Sequence, residues 1–363
     1  MEQYPAIPIA DILKHGRGAT LNPAGRFEEK DALKTDDGWE IDPDSEQTLK
    51  TSVTFEQAKT AISRNRSPDL PFDRSVNPYR GCEHGCIYCF ARPSHSYMNL
   101  SAGLDFESKL FAKPDIARLL ETEISRKGYH CRPLALGTNT DPYQPIERKH
   151  ALTRQIVELL CRTDHPFTIT TKSDLVLRDL DLLASQAQKG LVAVGISLTS
   201  LENDLSRKME PRASAPHRRL HTIQKLSEAG IPVVVQIAPV IPAINDMHLE
   251  KILKAAAEAG ASGATYLLVR LPYEVSDLFK AWLEEHFPDR ASKVMNCIRS
   301  MRKGRENDPN FGTRMRGSGP YADLIENRFS LACRKYNFSK RKYDLPVTFF
   351  TPPKPPSDQL SLF

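Results

Sequence analysis

The sequence predicts an α/β protein built on parallel strands, and three observations carry that prediction. Short runs rich in branched residues recur along the chain at the length of buried strands. Helical periodicities fill the intervals, and several end at a glycine suited to a left-handed cap. The length, 363 residues with 40% hydrophobic content, suffices for one large core plus an appendage.

Residues 1–60 read as a loosely structured N-terminal extension. They are polar and broken by Gly16-Arg17-Gly18, by Asn22-Pro23-Ala24-Gly25 and by the acidic patch of Asp36, Asp37, Glu40 and Asp42. Near Val76 the pattern changes, and Val76-Asn77-Pro78-Tyr79 would end a first strand. Pro133 to Gly137, Phe167 to Thr171, Val192 to Leu198, Val233 to Ala238 and Thr265 to Arg270 follow as buried strands. Ile116, Leu119, Leu120 and Ile124 share one helical face; Leu220, Ile223 and Leu226 share another; Leu249, Ile252, Leu253 and Ala256 share a third. Gly190, Gly230 and Gly260 each close a helix. Residues 61–272 therefore form a βα domain, and right-handed crossovers between parallel strands give either an open doubly wound sheet or a barrel. Residues 273–345 continue as a basic α-helical region, in which Leu278, Phe279, Trp282 and Leu283 pack on the domain. Residues 346–363 form a proline-rich tail, extended across Thr351 to Asp358.

The chemistry concentrates in Gly81-Cys82-Glu83-His84-Gly85-Cys86-Ile87-Tyr88-Cys89. Three soft thiolates at CxxxCxxC spacing suit an iron–sulfur cluster or zinc, and three ligands without an evident fourth leave a metal position open to a substrate or cofactor. A structural site of Cys82, Cys86, Cys89 and His84 around zinc is the competing reading, although His84 sits very close to its neighbours for such a loop. Seven cysteines is an odd, sparse count for a disulfide framework, and the N-terminus has no secretory pattern, so a reducing cytoplasm is expected. Ile231 to Ile244, the longest apolar stretch, carries Gln236 and three prolines and is too short to span a membrane.

The cysteine spacing resembles the signature of the radical S-adenosylmethionine (SAM) superfamily. That resemblance implies a partial (β/α)6 TIM-like barrel with the cysteine loop after the first strand. It also implies a [4Fe-4S] cluster that chelates SAM, an electron donor such as flavodoxin or ferredoxin, and a 5′-deoxyadenosyl radical. Met209-Glu210-Pro211, Ala238-Pro239-Val240 and Thr171-Lys172 are similar to strings of one branch, that of spore photoproduct lyase and its uncharacterised, DNA-repair-photolyase-like relatives. Carried over by position, Lys172 would pair with the SAM carboxylate, Thr140 and Ser197 would hydrogen-bond the cofactor, and Tyr88 would pack near its adenine. Each also has an ordinary structural reading, as a solvated lysine, backbone-satisfying hydroxyls and a core tyrosine. Glu210 is a further charge-handling candidate, with Arg207 or Arg212 as its local partner. Where the lyase has a hydrogen-donating cysteine, this chain has Thr138, and a hydroxyl is a poor hydrogen-atom donor. Cys131 would sit on the opposite side of the barrel. The resemblance therefore implies radical chemistry other than dimer reversal, with the reacting residues unassigned.

Charge bears on the partner. Arg290 to Lys342 holds fourteen Lys or Arg against four Asp or Glu, a net of +10, which leaves the rest of the chain at −5. Interleaved with Phe311, Tyr321, Phe329, Tyr336 and Phe338, this stretch is compatible with phosphate contacts and base stacking, or with solvated helix faces. The loop from Gly304 to Gly319, with Arg305, Arg314 and Arg316, would lid the open side of a barrel. The terminal Gln359-Leu360-Ser361-Leu362-Phe363 resembles the short motif by which bacterial polymerases and repair proteins bind the replication sliding clamp. The leading expectation is a cytoplasmic radical SAM enzyme that repairs or modifies nucleic acid, DNA above all. The alternatives are a radical SAM enzyme for a protein, RNA or small molecule, and a zinc-stabilised nucleic-acid-binding protein without catalysis.

Overall fold

The computed structural model describes residues 16–23, 26–27, 50–339 and 344–353. Ten strands are described. They are β1 (Ser52–Phe55), β2 (Ser63–Arg64), β3 (Arg74–Val76), β4 (Tyr79–Arg80), β5 (Lys109–Ala112), β6 (Leu134–Leu136), β7 (Phe167–Thr171), β8 (Val192–Ser197), β9 (Val233–Val240) and β10 (Gly263–Leu268). The large sheet runs β10-β9-β8-β7-β6-β3-β2, with every neighbour pair parallel except β2 with β3. The six parallel strands stand in chain order, without the reversal that defines a doubly wound sheet. A singly wound sheet of this kind curls into part of a barrel.

Five helices cross between those strands: α1 (Ile116–Ile124), α2 (Leu152–Arg162), α3 (Leu180–Gln188), α4 (Pro216–Glu228) and α5 (Leu249–Glu258). The three helical faces read from the sequence lie on α1, α4 and α5. Gly190, Gly230 and Gly260 take positive φ just past α3, α4 and α5. Phe167, Ile169, Val194, Ile196, Val235 and Ile237 join Ile156, Leu160, Ile223 and Ile252 in the main core, so alternate residues of each strand face the helices. Their neighbours Thr170, Gly195, Ser197 and Gln236 consequently face the barrel interior, where Gln236 Nε2 donates to Thr170 Oγ1 at 3.2 Å across Gly195.

The C-terminal helices α6 (Glu274–His286), α7 (Pro288–Ser300) and α8 (Pro320–Lys335) pack against the domain. Trp282 is fully buried, with its indole N–H donating to the Lys208 carbonyl. The loop between α7 and α8 bridges the open side of the barrel. Met315 O accepts from Leu268 N–H on β10 at 3.0 Å. Arg314 reaches Asp69, in the turn between β2 and β3, at 2.6 Å.

Two expectations need correction. The described part of the N-terminal extension is not loose: Arg17 to Thr20 are buried, and Ser52–Phe55 pairs with β5 in a small second sheet of order β1-β5-β4. The basic C-terminal stretch is also not a uniformly solvated face. Arg299, Arg314 and Arg328 pair with Glu306, Asp69 and Glu250, while Arg302 is buried among the carbonyls of Leu268, Val269, Thr313 and Arg314. The pentapeptide Gln359 to Phe363 lies outside the described residues. Among the described residues no helix is long and apolar enough to cross a membrane.

Candidate active site

The cysteine loop follows β3 and β4, at the carboxyl end of the barrel strands where loops vary without disturbing the core. Its backbone is held from outside at nearly every residue. Gln144 takes Gly81 O and Glu83 N–H, Phe106 O takes Cys82 N–H, Arg212 N–H reaches His84 O, and Met209 O takes Ile87 N–H. The buried Arg92 donates to Cys86 O at 2.9 Å and Gly85 O at 3.1 Å, and its other branch reaches the carbonyls of Ala102 and Gly103. Gly85 has φ +66°, and a Cβ there would lie 2.8 Å from Glu107 Oε2, so the turn between the first two cysteines requires glycine. The loop is pre-formed by these contacts.

The three thiols are free and near one another. Cys82 and Cys86 are buried, and Cys89 is half-buried and packs against the two groups of buried side chains that contain them. Burial raises the Cys82 pKa, with Asp141 and Cys86 adding to the effect. Burial likewise pushes Cys86 up to about 12, against the pull of Lys172. Such thiols are protonated at neutral pH and give up their protons only to a metal. His84 Nδ1 lies 3.3 Å from Asp141 Oδ2. Among the described residues, no three His, Cys, Asp or Glu side chains converge on a single-ion position. The soft thiolate donors of Cys82, Cys86 and Cys89 fit an iron–sulfur cluster held by three protein ligands.

Beside Cys86 lies a buried polar set that faces the barrel interior. Glu210 accepts from the Tyr88 hydroxyl and from Thr199 Oγ1 at 2.8 Å, and pairs with Arg219 at 2.5 Å. Burial pushes its carboxyl pKa up, but Arg219 and Lys172 outweigh that and hold it below the usual range. Lys172 answers in kind: burial disfavours its ammonium, yet Cys86 and Glu210 leave its pKa raised. Its ammonium lies 5.9 Å from the centre of the Tyr88 ring. Asp141 behaves similarly, pushed up by burial and pulled down to about 2 by His84, Thr171 and the Lys172 N–H. Among the described residues, Ser197 Oγ, at the end of β8, is buried without a hydrogen-bond partner. An orphaned hydroxyl and a lysine beside a thiol-bearing loop are what a polar cofactor would require.

Comparison with known proteins now decides the family. Residues 76–256 match the model of the radical SAM superfamily. An uncharacterized protein of Mycobacterium tuberculosis is 37% identical over 252 residues, covering 68% of this chain and 74% of that protein. The chain belongs to the radical SAM superfamily. An uncharacterized protein of Methanocaldococcus jannaschii is 29% identical over 248 residues, 68% of this chain and 88% of that protein. Among solved structures, spore photoproduct lyase complexed with dinucleoside spore photoproduct superposes with a TM-score of 0.56 at 15% identity, over 78% of this chain and 79% of that one. That likeness is one of fold. Membership makes the protein an enzyme, and the superfamily implies SAM and a [4Fe-4S] cluster.

Within this radical SAM frame the sequence-predicted residues separate. Cys82, Cys86, Cys89, Tyr88 and Lys172 come together, and Ser197 sits on the interior face of β8. Thr140 lies buried below the loop, where its hydroxyl donates to Tyr79 O at 3.3 Å. Thr138 exchanges hydrogen bonds with Asn77. Cys131 precedes β6 and lies near Arg74, which opens β3, so it is at the far end of the sheet from the cysteine loop. The partner of Glu210 is Arg219, not Arg207 or Arg212. Sequence reading missed Asp141, Glu107 and Arg92. Asp141 stands in a polar run directly after a predicted strand, which was a usable signal; Glu107 and Arg92 carry none.

Proposed function

We propose that the protein cleaves SAM reductively at a [4Fe-4S] cluster held by Cys82, Cys86 and Cys89 and directs the radical at a nucleic acid. The observation that carries this reading is the pre-formed cysteine loop beside the partnerless Ser197 Oγ and the Lys172 ammonium. A cluster of this type, when bound, passes one electron from a flavodoxin or ferredoxin into the sulfur–carbon bond of SAM, giving methionine and a 5′-deoxyadenosyl radical. Lys172 binds the cofactor carboxylate, Ser197 donates its free hydroxyl, Thr140 offers its remaining lone pairs, and Tyr88 flanks the adenine. Glu210 fixes Tyr88 and balances the charge of Lys172 and Arg219. The buried interior excludes water from a reactive species.

A nucleic acid fits the surface beside the loop. A cleft of about 430 Å³ is lined by His84, Ser173 and Ser214 together with Arg148, Arg212 and Arg218, against the single carboxylate of Asp174. Arginines suit phosphodiesters. The fold neighbour solved with a dinucleoside supports the same substrate class. Thr138 in place of a thiol favours a reaction other than dimer reversal.

The test is anaerobic purification with iron and zinc analysis, followed by incubation of the reduced protein with SAM. The expected result is iron together with 5′-deoxyadenosine, both lost in Cys82→Ala. Zinc without cofactor cleavage would overturn the radical reading. A cofactor-cleaving protein that shows no salt-dependent oligonucleotide binding would overturn the nucleic-acid assignment alone.

A further inference from the structure

We infer that the segment Gly16 to Thr20 is a strap that positions the cysteine loop, so that residues far upstream of the matched region 76–256 govern how firmly the cluster is held. The inference rests on the reading of Cys82, Cys86 and Cys89 as cluster ligands. It starts from Glu107, a fully buried carboxylate on the short helix Leu104–Ser108. A buried carboxylate must collect donors. Oε1 accepts from Ala19 N–H at 2.8 Å and from Arg92 at 2.5 Å, and Oε2 accepts from Gly18 N–H at 2.9 Å. Two of these three donors are therefore backbone groups of the strap. The third, Arg92, is the same guanidinium that holds the carbonyls of Gly85 and Cys86. Glu107 thus links the strap to the peptide of a proposed ligand through one side chain.

Three more contacts bind the segment to the loop. Arg17 donates to the Glu107 carbonyl at 2.9 Å and to Thr51 Oγ1 at 3.2 Å, and Thr51 donates to Glu83 at 2.6 Å, between Cys82 and His84. Ala19 is buried in the cluster of side chains that contains Cys86, Ile87 and Tyr88. Gly18 crosses directly over Gly85: a Cβ on Gly18 would stand 1.8 Å from the Gly85 carbonyl oxygen. Any side chain at that position lifts the strap from the loop. Lifting it removes two donors from Glu107, frees Arg92 to shift and opens the Cys86 side to water. Groups that orient metal ligands in this way commonly change metal retention by about 10- to 100-fold when altered.

The experiment compares full-length wild type with Gly18→Ala and Arg17→Ala, each loaded with iron and sulfide anaerobically. Loss of cluster absorbance to a ferrous chelator is timed, and trypsin cleavage at Arg17 of the metal-free proteins is followed by mass spectrometry. The expected result is cluster loss about tenfold faster in both variants. Arg17→Lys, which keeps a donor, should fall between Arg17→Ala and wild type. The bond after Arg17 should be protected in wild type and cut in Gly18→Ala. If Gly18→Ala does not fold, Arg17→Ala carries the comparison. Iron held as long as in wild type overturns the strap, whether or not Arg17 becomes cleavable. A wild type that takes up no iron overturns the cluster reading itself.

Discussion

Ser197 separates stability from function at the level of one side chain. A buried hydroxyl without a partner costs the fold about 1–3 kcal/mol, and it persists where a ligand uses it. Ser197→Ala should therefore leave the urea midpoint unchanged or raise it slightly, while weakening SAM binding by about tenfold, equivalent to about 1.4 kcal/mol. A variant that loses stability and binds SAM normally would make Ser197 a structural residue. Glu210 illustrates a different limit of sequence reading. Its charge was visible, but its partner depended on helix α4, which begins at Pro216 and brings the fully buried Arg219 onto the carboxylate. A contact nine residues away through a turn and a helix start cannot be read from adjacency.

Elements with a strong internal period were legible. Phe167–Thr171 was read with its observed limits, and β8, β9 and β10 to within two residues, because apolar, mostly branched residues recur along the faces that pack on the helices. Strands β1, β2, β4 and β5 were missed, being two to four residues long and set by pairing rather than by pattern. The bridge across the open side is likewise a tertiary event. Asp69 accepts from Arg314 at 2.6 Å and from Gly312 N–H at 2.7 Å, tying the α7–α8 loop to the β2–β3 turn. Removing the carboxylate in Asp69→Ala takes the ion-pair partner from the part-buried Arg314, which keeps its hydrogen bond to Ser67 Oγ, at a cost of about 1–3 kcal/mol. Hydrogen exchange should accelerate in residues 312–316 and at the β10 edge and stay unchanged in β7 and β8. Uniform acceleration through the sheet would show instead that the bridge supports the whole barrel.

The molecule as a whole is closed by chain segments at both ends, and the second closure makes its stability depend on pH. Leu345 is buried, and Phe350 packs edge-on against His165 with ring centres 5.1 Å apart and against Tyr129 at 5.6 Å. Thr351 N–H donates to Thr163 O at 2.9 Å. His165 Nδ1 lies 3.0 Å from Pro166 O, so it carries the proton, and Nε2 accepts from the Tyr129 hydroxyl at 2.8 Å. Burial, assisted by the charge of Arg74 and opposed by the Pro166 contact, pushes the ring pKa down to about 4. Between that value and the ordinary 6.5 the unfolded chain binds a proton that the folded chain refuses. Stability is therefore fully present above about pH 6.5 and is lost as pH falls toward 4, by up to about 3 kcal/mol from this residue. Carboxylates such as Asp141, with a folded pKa of about 2, lose their contribution lower down, starting near pH 4. Urea midpoints measured from pH 7.5 to pH 4.5 should fall in the wild type and fall less in His165→Gln, which keeps an acceptor for Tyr129 but does not titrate. Equal slopes in the two proteins would mean that the ring takes up its proton in the folded state, and that the C-terminal segment does not shield it from water.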